Sequence, residues 1–123
     1  MTSEKKPFLT PHSDEINDIF LVNVVHIEPG KQDAALEILR SAVEYVARTY
    51  PCFKWSRLFK SIDGQTVINQ AQWSSREEFE SLFEDSEFLS RYSRLKETGT
   101  WEFHLYNVTD FIPQAFNSVT VQN

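Results

Sequence analysis

The sequence predicts an α+β fold in which four strands and two helical regions alternate as β-α-β-β-α-β. Three observations predict it. A β-branched run from Ile19 to Ile27 is closed by Glu28-Pro29-Gly30, which reads as a buried strand ending in a turn. An apolar stripe with spacings of three and four follows it, and an Asp63-Gly64 pair then separates two stretches of strand character. The whole chain is 123 residues, the length of one ordinary domain with a single core.

The elements follow in order. Residues 1–15, with Pro7, Pro11 and Ser13 and no periodicity, read as a flexible N-terminal arm ahead of a domain spanning 16–109. After the first strand, Ala34, Ala35, Ile38, Leu39, Ala42, Val43 and Val46 place one apolar face on a helix from about Lys31 to Tyr50, stopped by Pro51. Phe53 to Ser61 alternates, setting Phe53, Trp55, Arg57 and Phe59 on one face of a second strand. Thr66 to Trp73 is the returning strand of the hairpin. Ser75 with Glu78 reads as a capping box opening a helix over 76–84. A restart at Asp85 or Ser86 carries Phe88, Leu89, Tyr92 and Leu95 to Lys96, Gly99 ends the helical region, and Thr100 to Val108 is the last strand. Residues 110–123 form a tail with Phe111, Ile112, Phe116 and Val119.

This order is that of a ferredoxin-like antiparallel sheet with its helices on one face. The other face is left open, and the apolar residues on both sides of the strands favour burying it against a second copy, with the tail packing on the partner. A monomer with a hydrated open face is the alternative.

Composition narrows the function classes. Twelve Lys and Arg against eighteen Asp and Glu leave a net charge of -6, unfavourable for a nucleic acid partner. No apolar run approaches the roughly 18–20 residues of a membrane span. Cys52 is the only cysteine and the start is charged, with Glu4, Lys5 and Lys6, so a reducing, cytoplasmic setting is expected. The scattered histidines and single cysteine show no metal-binding spacing, and no metal or other cofactor is expected. Ten Phe, four Tyr and three Trp are the unusual feature; such rings fill a core, a pocket or an interface.

Asn69, Ala71 and Trp73 share one face of their strand, and the small residue between amide and indole leaves space. On the helix-covered face, Asn69 would offer its amide to a carbonyl or phenolate, with Trp73 and Phe79 as apolar walls. The alternative is that Asn69 satisfies a backbone group and Trp73 is plain core. His26 and His104, on adjacent strands, are candidate bases, or else packing or interface residues. Arg57 fits either an anionic substrate, an ion pair across a dimer, or an exposed salt bridge.

The phrase Asn69-Gln70-Ala71-Gln72-Trp73-Ser74-Ser75-Arg76-Glu77-Glu78-Phe79, with Ser86-Glu87-Phe88 two turns later, resembles the antibiotic biosynthesis monooxygenase domain family over roughly residues 18–109. The resemblance implies a dimeric α/β barrel. Its quinone-forming branch implies that Asn69 and Trp73 face an aromatic substrate oxidised by O2 without metal or flavin. The sequence departs from that branch: Phe79 stands for a tyrosine, Leu58-Phe59 for a Tyr-His pair, and Ser93, flanked by Arg91 and Arg94, for an arginine. Phe79, Arg57, Tyr92, Phe59, Leu58 and Arg91 are therefore the expected substrate-binding set, with Asn69, Trp73, His26 and His104 as catalytic candidates. In the haem-degrading branch an iron-binding histidine falls at or near Tyr92, and no histidine lies between His26 and His104. The expected activity is cofactor-independent oxidation of a small aromatic, quinol-like or polyketide-derived molecule. A non-catalytic small-molecule or stress-related binding protein, and an oxygen-independent isomerase or cyclase, are the competing readings.

Overall fold

The structure, a computed structural model, describes residues 17–115. The expected arm at 1–15 and the tail beyond residue 115 lie outside the described residues. Strand β1 (Ile19–Ile27) is followed by helix α1 (Gln32–Thr49), β2 (Phe53–Lys60) and β3 (Thr66–Trp73). Short helices α2 (Arg76–Glu80) and α3 (Ser86–Tyr92) come next, then β4 (Gly99–Tyr106). The four strands form one antiparallel sheet in the order β2-β3-β1-β4, with the apolar β1 at its centre beside both β3 and β4. This is the expected ferredoxin-like α+β architecture.

Both helical regions cover the same face. The stripe on α1 buries Ala35, Ile38, Leu39, Ala42 and Val46, whereas Ala34, expected in that stripe, is exposed. One core cluster joins Leu21, Ala42, Val46, Ala71, Trp73, Phe79, Leu82 and Phe88; a second joins Val25, Ile38, Leu39, Val67 and Leu95. Each fully buried aliphatic or aromatic side chain of this kind contributes roughly 1.5–3 kcal/mol, so the helix-covered face carries most of the fold's stability.

Three local expectations are corrected. Phe53 pairs with Trp73 and Trp55 with Gln72, so two steps along β2 meet one along β3. This bulge turns Phe53 to the helix side, where its ring lies edge-on to Trp73 at 5.5 Å, while Trp55, Arg57 and Phe59 stay on the open face. The expected single face for Phe53, Trp55, Arg57 and Phe59 is therefore split.

The second correction concerns the capping box, of which only half forms. Ser75 Oγ accepts the Glu78 N–H at 3.0 Å, but Glu78 Oε1 accepts the Cys52 N–H at 2.7 Å instead of returning to Ser75. Glu78 thereby ties α2 to the turn after α1.

The third is Gly99, which opens β4 opposite Ile27 instead of ending a helix. A Cβ at Gly99 would stand 1.9 Å from the His26 carbonyl oxygen, so the close approach of backbone to backbone requires glycine. The helical region has already stopped in a 3-10 turn, Ser93–Glu97, and β4 ends at Tyr106, two residues before the expected end.

Candidate functional site

A cavity lies between the sheet and the helices, and each element contributes to it in a way its sequence explains. Alternation on β1 and β3 sends Leu21 and Asn23, and Asn69, Ala71 and Trp73, to the helix side; β4 adds Phe103 and the bulge adds Phe53. The α1 stripe supplies Leu39, Ala42, Val43 and Val46. Phe79 comes from α2, Leu82 and Phe83 from the 3-10 turn Ser81–Glu84, and Phe88 and Tyr92 from α3. The free space is narrow, about 40 Å³ for the centres of water-sized spheres, room for a few waters. Phe83 and Phe103, both partly exposed, stack at 5.7 Å with planes 13° apart on one side of it.

The polar groups gather at the sheet. Asn23 and Asn69 are directly opposed on adjacent strands and are only 2% and 6% exposed. Ser56 donates its hydroxyl to Asn69 Oδ1, so the remaining donors of that amide are those of Nδ2. Asn23 Nδ2 donates to the Tyr92 hydroxyl at 2.7 Å, while Asn23 Oδ1 is buried with no partner among the described residues. A buried polar atom left unmatched costs about 1–3 kcal/mol, which marks this oxygen as a place for a donor brought by something else. Burial pushes the Tyr92 phenol up to about 12, against a smaller opposing effect of the Asn23 hydrogen bond, so it is protonated at neutral pH.

Trp73, 1% exposed, is framed edge-on by Tyr50, Phe53 and Phe79 at 5.5–5.9 Å. Behind it, Tyr45 and Tyr50 both donate to Asp85 Oδ2, and Asp85 Oδ1 caps α3 by accepting the Glu87 and Phe88 N–H groups. Burial and the Asp85 carboxylate hold the Tyr50 phenol up at about 12, and the Tyr50 hydrogen bond in turn lowers the Asp85 carboxyl below its ordinary value.

Of the residues singled out in the sequence, Asn69, Trp73, Phe79 and Tyr92 meet in the cavity. Leu58 is opposite Asn69 on the helix side but packs with the second core cluster, outside the lining. His26 and His104 are exposed on the other face of the sheet, opposite Thr66 and Val22. Phe59 and Arg57 are also there; the Arg57 guanidinium lies over Trp55 at 5.2 Å and Phe59 at 5.9 Å and donates to Gln70. Arg91 lies between α1 and α3, paired with Glu87, donating to Ser41 and lying over Tyr45. The cavity thus holds neither an imidazole nor a guanidinium.

Sequence reasoning missed Asn23, Phe83 and Phe103. Asn23 carried a signal, being the one amide within an apolar strand and in phase with Leu21 and Val25. Phe83 and Phe103 had none, because their stacking joins a helical turn to an edge strand.

Comparison with known proteins supplies independent findings. The model of the family described as antibiotic biosynthesis monooxygenase matches residues 18–90. Tetracenomycin-F1 monooxygenase of Streptomyces glaucescens is 36% identical over 69 residues, which are 55% of this chain and 62% of that protein, so the match spans less than two thirds of the relative. Among solved structures, SnoaB of Streptomyces nogalater, described as a cofactor-independent oxygenase, superposes with a TM-score of 0.70 at 20% identity, covering 80% of this chain and 99% of that one. The ActVA-Orf6 monooxygenase of Streptomyces coelicolor, solved with nanaomycin D, gives 0.66 at 21% identity, covering 82% and 95%. At these identities the two structures establish the shared fold.

Proposed function

The chain belongs to the antibiotic biosynthesis monooxygenase family, and from that premise we propose that it oxidises a small aromatic, quinol-like or polyketide-derived molecule with O2 in the cavity between sheet and helices. The observation that carries this reading is the opposed pair Asn23 and Asn69, two buried amides beside Trp73 in a lining otherwise made almost wholly of apolar and aromatic side chains. Such a wall selects a planar apolar body, and the amides select its oxygen substituents. The functions of the named relatives support the same kind of chemistry.

In this reading the bound hydroxyanthrone gives up a methylene proton to solvent water and becomes an electron-rich anion. Asn69 Nδ2 stabilises the oxyanion, and the phenolic proton of a neighbouring substituent satisfies Asn23 Oδ1. The anion passes one electron to O2, the radical pair combines at carbon, and loss of water leaves a ketone. One atom of O2 enters the product and the other leaves as water, taking up the two hydrogens of the oxidised methylene. Fixed amide dipoles in a site walled by apolar and aromatic side chains stabilise the developing charge without reorganising. Among the described residues no group of acidic, histidine or cysteine side chains is arranged to hold a metal ion, and the chemistry proposed requires none.

The test is O2 uptake by metal-stripped protein on a panel of anthrones, hydroxynaphthols and quinols, with protein-free controls. Saturable uptake that survives chelation and drops at least tenfold in Asn69→Ala is expected. Ligand binding without uptake would instead establish a binding protein or an oxygen-independent enzyme; the placement of His26 and His104 away from the cavity favours the first of these two.

The same proposal includes a homodimer. The open face carries Val22, Val24, Trp55, Phe59 and Ile68, an apolar patch over β1, β2 and β3 that is crossed by the Arg57 guanidinium lying over Trp55 and Phe59. A second copy laid on it removes that patch from water, and the exposed Phe111 and Ile112 after β4 would extend the contact.

A further inference from the structure

Beyond the amides, the cavity contains one ionisable side chain, and it lies just outside the segment that matches the family model, which ends at residue 90. We infer that Tyr92 is a catalytic hydrogen-bond donor, its hydroxyl proton completing with Asn69 Nδ2 a two-donor site for the oxyanion of an ionisable phenol. This inference rests on the cavity being the ligand site.

The argument is one of donors and acceptors. The Tyr92 oxygen accepts from Asn23 Nδ2 at 2.7 Å, which occupies a lone pair and leaves the O–H to point elsewhere. Phe88 stacks on one side of the Tyr92 ring at 5.2 Å and Trp101 meets it edge-on at 5.4 Å, so the ring is held and neither neighbour is a strong acceptor. No hydrogen bond donated by the Tyr92 hydroxyl is formed to any described residue. Asn23 and Asn69 face each other across the strands, so the two unspent donors, Tyr92 Oη–H and Asn69 Nδ2–H, flank the same amide. Asn23 is 2% exposed and its Oδ1 is unmatched, a second polar atom at this point that a ligand hydroxyl would satisfy. No charged side chain lines the cavity, so nothing there competes for the proton or repels an anion. The high pKa of Tyr92 comes from burial alone and keeps the donor in place at neutral pH.

The experiment uses 2-hydroxyanthraquinone, whose visible band shifts on ionisation, bound to the full chain and titrated with pH. The apparent pKa of the bound probe in wild type is compared with Tyr92→Phe and Asn69→Ala. A donated hydrogen bond to the anion favours it selectively, so Tyr92→Phe should raise the bound pKa by about one unit, a tenfold loss of preference for the anion, while neutral probe binds within about threefold of wild type. A merely structural Tyr92 would weaken both forms alike, and that outcome overturns the proposal. If Asn69→Ala moves the pKa and Tyr92→Phe does not, the Tyr92 assignment alone falls; an Asn23 amide turned to accept from Tyr92 would produce this result. If wild type binds neither form, the cavity reading fails and this inference with it. Should Tyr92→Phe not melt cooperatively, Asn23→Ser withdraws the amide that orients the hydroxyl and should shift the pKa in the same direction by a smaller amount; an unchanged pKa there overturns the proposal.

Discussion

Burial is the first cause of the two large shifts among the single side chains of this protein. Tyr92 and Tyr50 both have phenols held near 12, the first by desolvation against a small opposing hydrogen bond, the second by desolvation and the Asp85 carboxylate. A group whose folded pKa exceeds its unfolded value of about 10 stabilises the fold fully below that pH and loses the contribution as pH rises through the folded value. Stability should therefore fall between pH 10 and 12, and Tyr92 alone accounts for roughly 2 kcal/mol of that fall. Urea melts across this range, read with tyrosinate absorbance, check it; Tyr92→Phe should flatten the decline, and an equal slope in the variant would refute the assignment. Asp85 acts in the opposite pH range. Its carboxyl is lowered, so its contribution is present above pH 4 and is lost as acid protonates it and releases both tyrosines and the cap of α3.

At the level of elements, the broken helical region is the informative one. A continuous helix from residue 76 to residue 96 would present one straight apolar stripe. Instead α2 stops at Glu80, a 3-10 turn runs to Glu84, and Asp85 restarts the helix by capping it. The break places Phe83 over the cavity, stacked on Phe103 and edge-on to Phe79. A short turn with exposed backbone is easier to displace than a packed helix, so the stack is where the narrow cavity should open. Phe83→Ala is expected to raise acrylamide quenching of Trp73 severalfold in a Trp55→Phe, Trp101→Phe background, with a loss of stability of about 1 kcal/mol because the ring is only partly buried. Unchanged quenching would place the entrance elsewhere.

For the whole molecule the question is what the sheet does with its second face. Helices cover one side only, and the open side carries Trp55, Phe59 and Ile68 next to the Val22 and Val24 positions of the central strand. Light scattering should give twice the chain mass of 14.4 kDa, and Phe59→Glu should shift it towards the monomer. A wild-type mass near 14.4 kDa would remove the dimer. Among the described residues no helix is long and apolar enough to cross a membrane.

Much of this was legible from the amino acids alone, because the physics involved is local. The period-two and period-three-to-four patterns set β1, α1 and β3 to within a residue or two, and the side of β3 that carries Asn69 and Trp73 follows from strict alternation. The resemblance carried by residues 69–79 pointed to the family, because the Trp-to-Phe segment reflects packing that is continuous in sequence. Tertiary structure decided what depends on distant contacts. The β2 bulge separates Phe53 from Trp55, the approach of β4 to the His26 carbonyl makes Gly99 a strand residue, and the packing of the helices on the Leu21 and Val25 side leaves His26 and His104, which alternate to the other side, away from the cavity. The meeting of Asn23, Asn69 and Tyr92 belongs to the same class. Three residues separated by 46 and 23 positions come together only when two strands pair in one register and a helix packs across them, and no local pattern encodes that geometry.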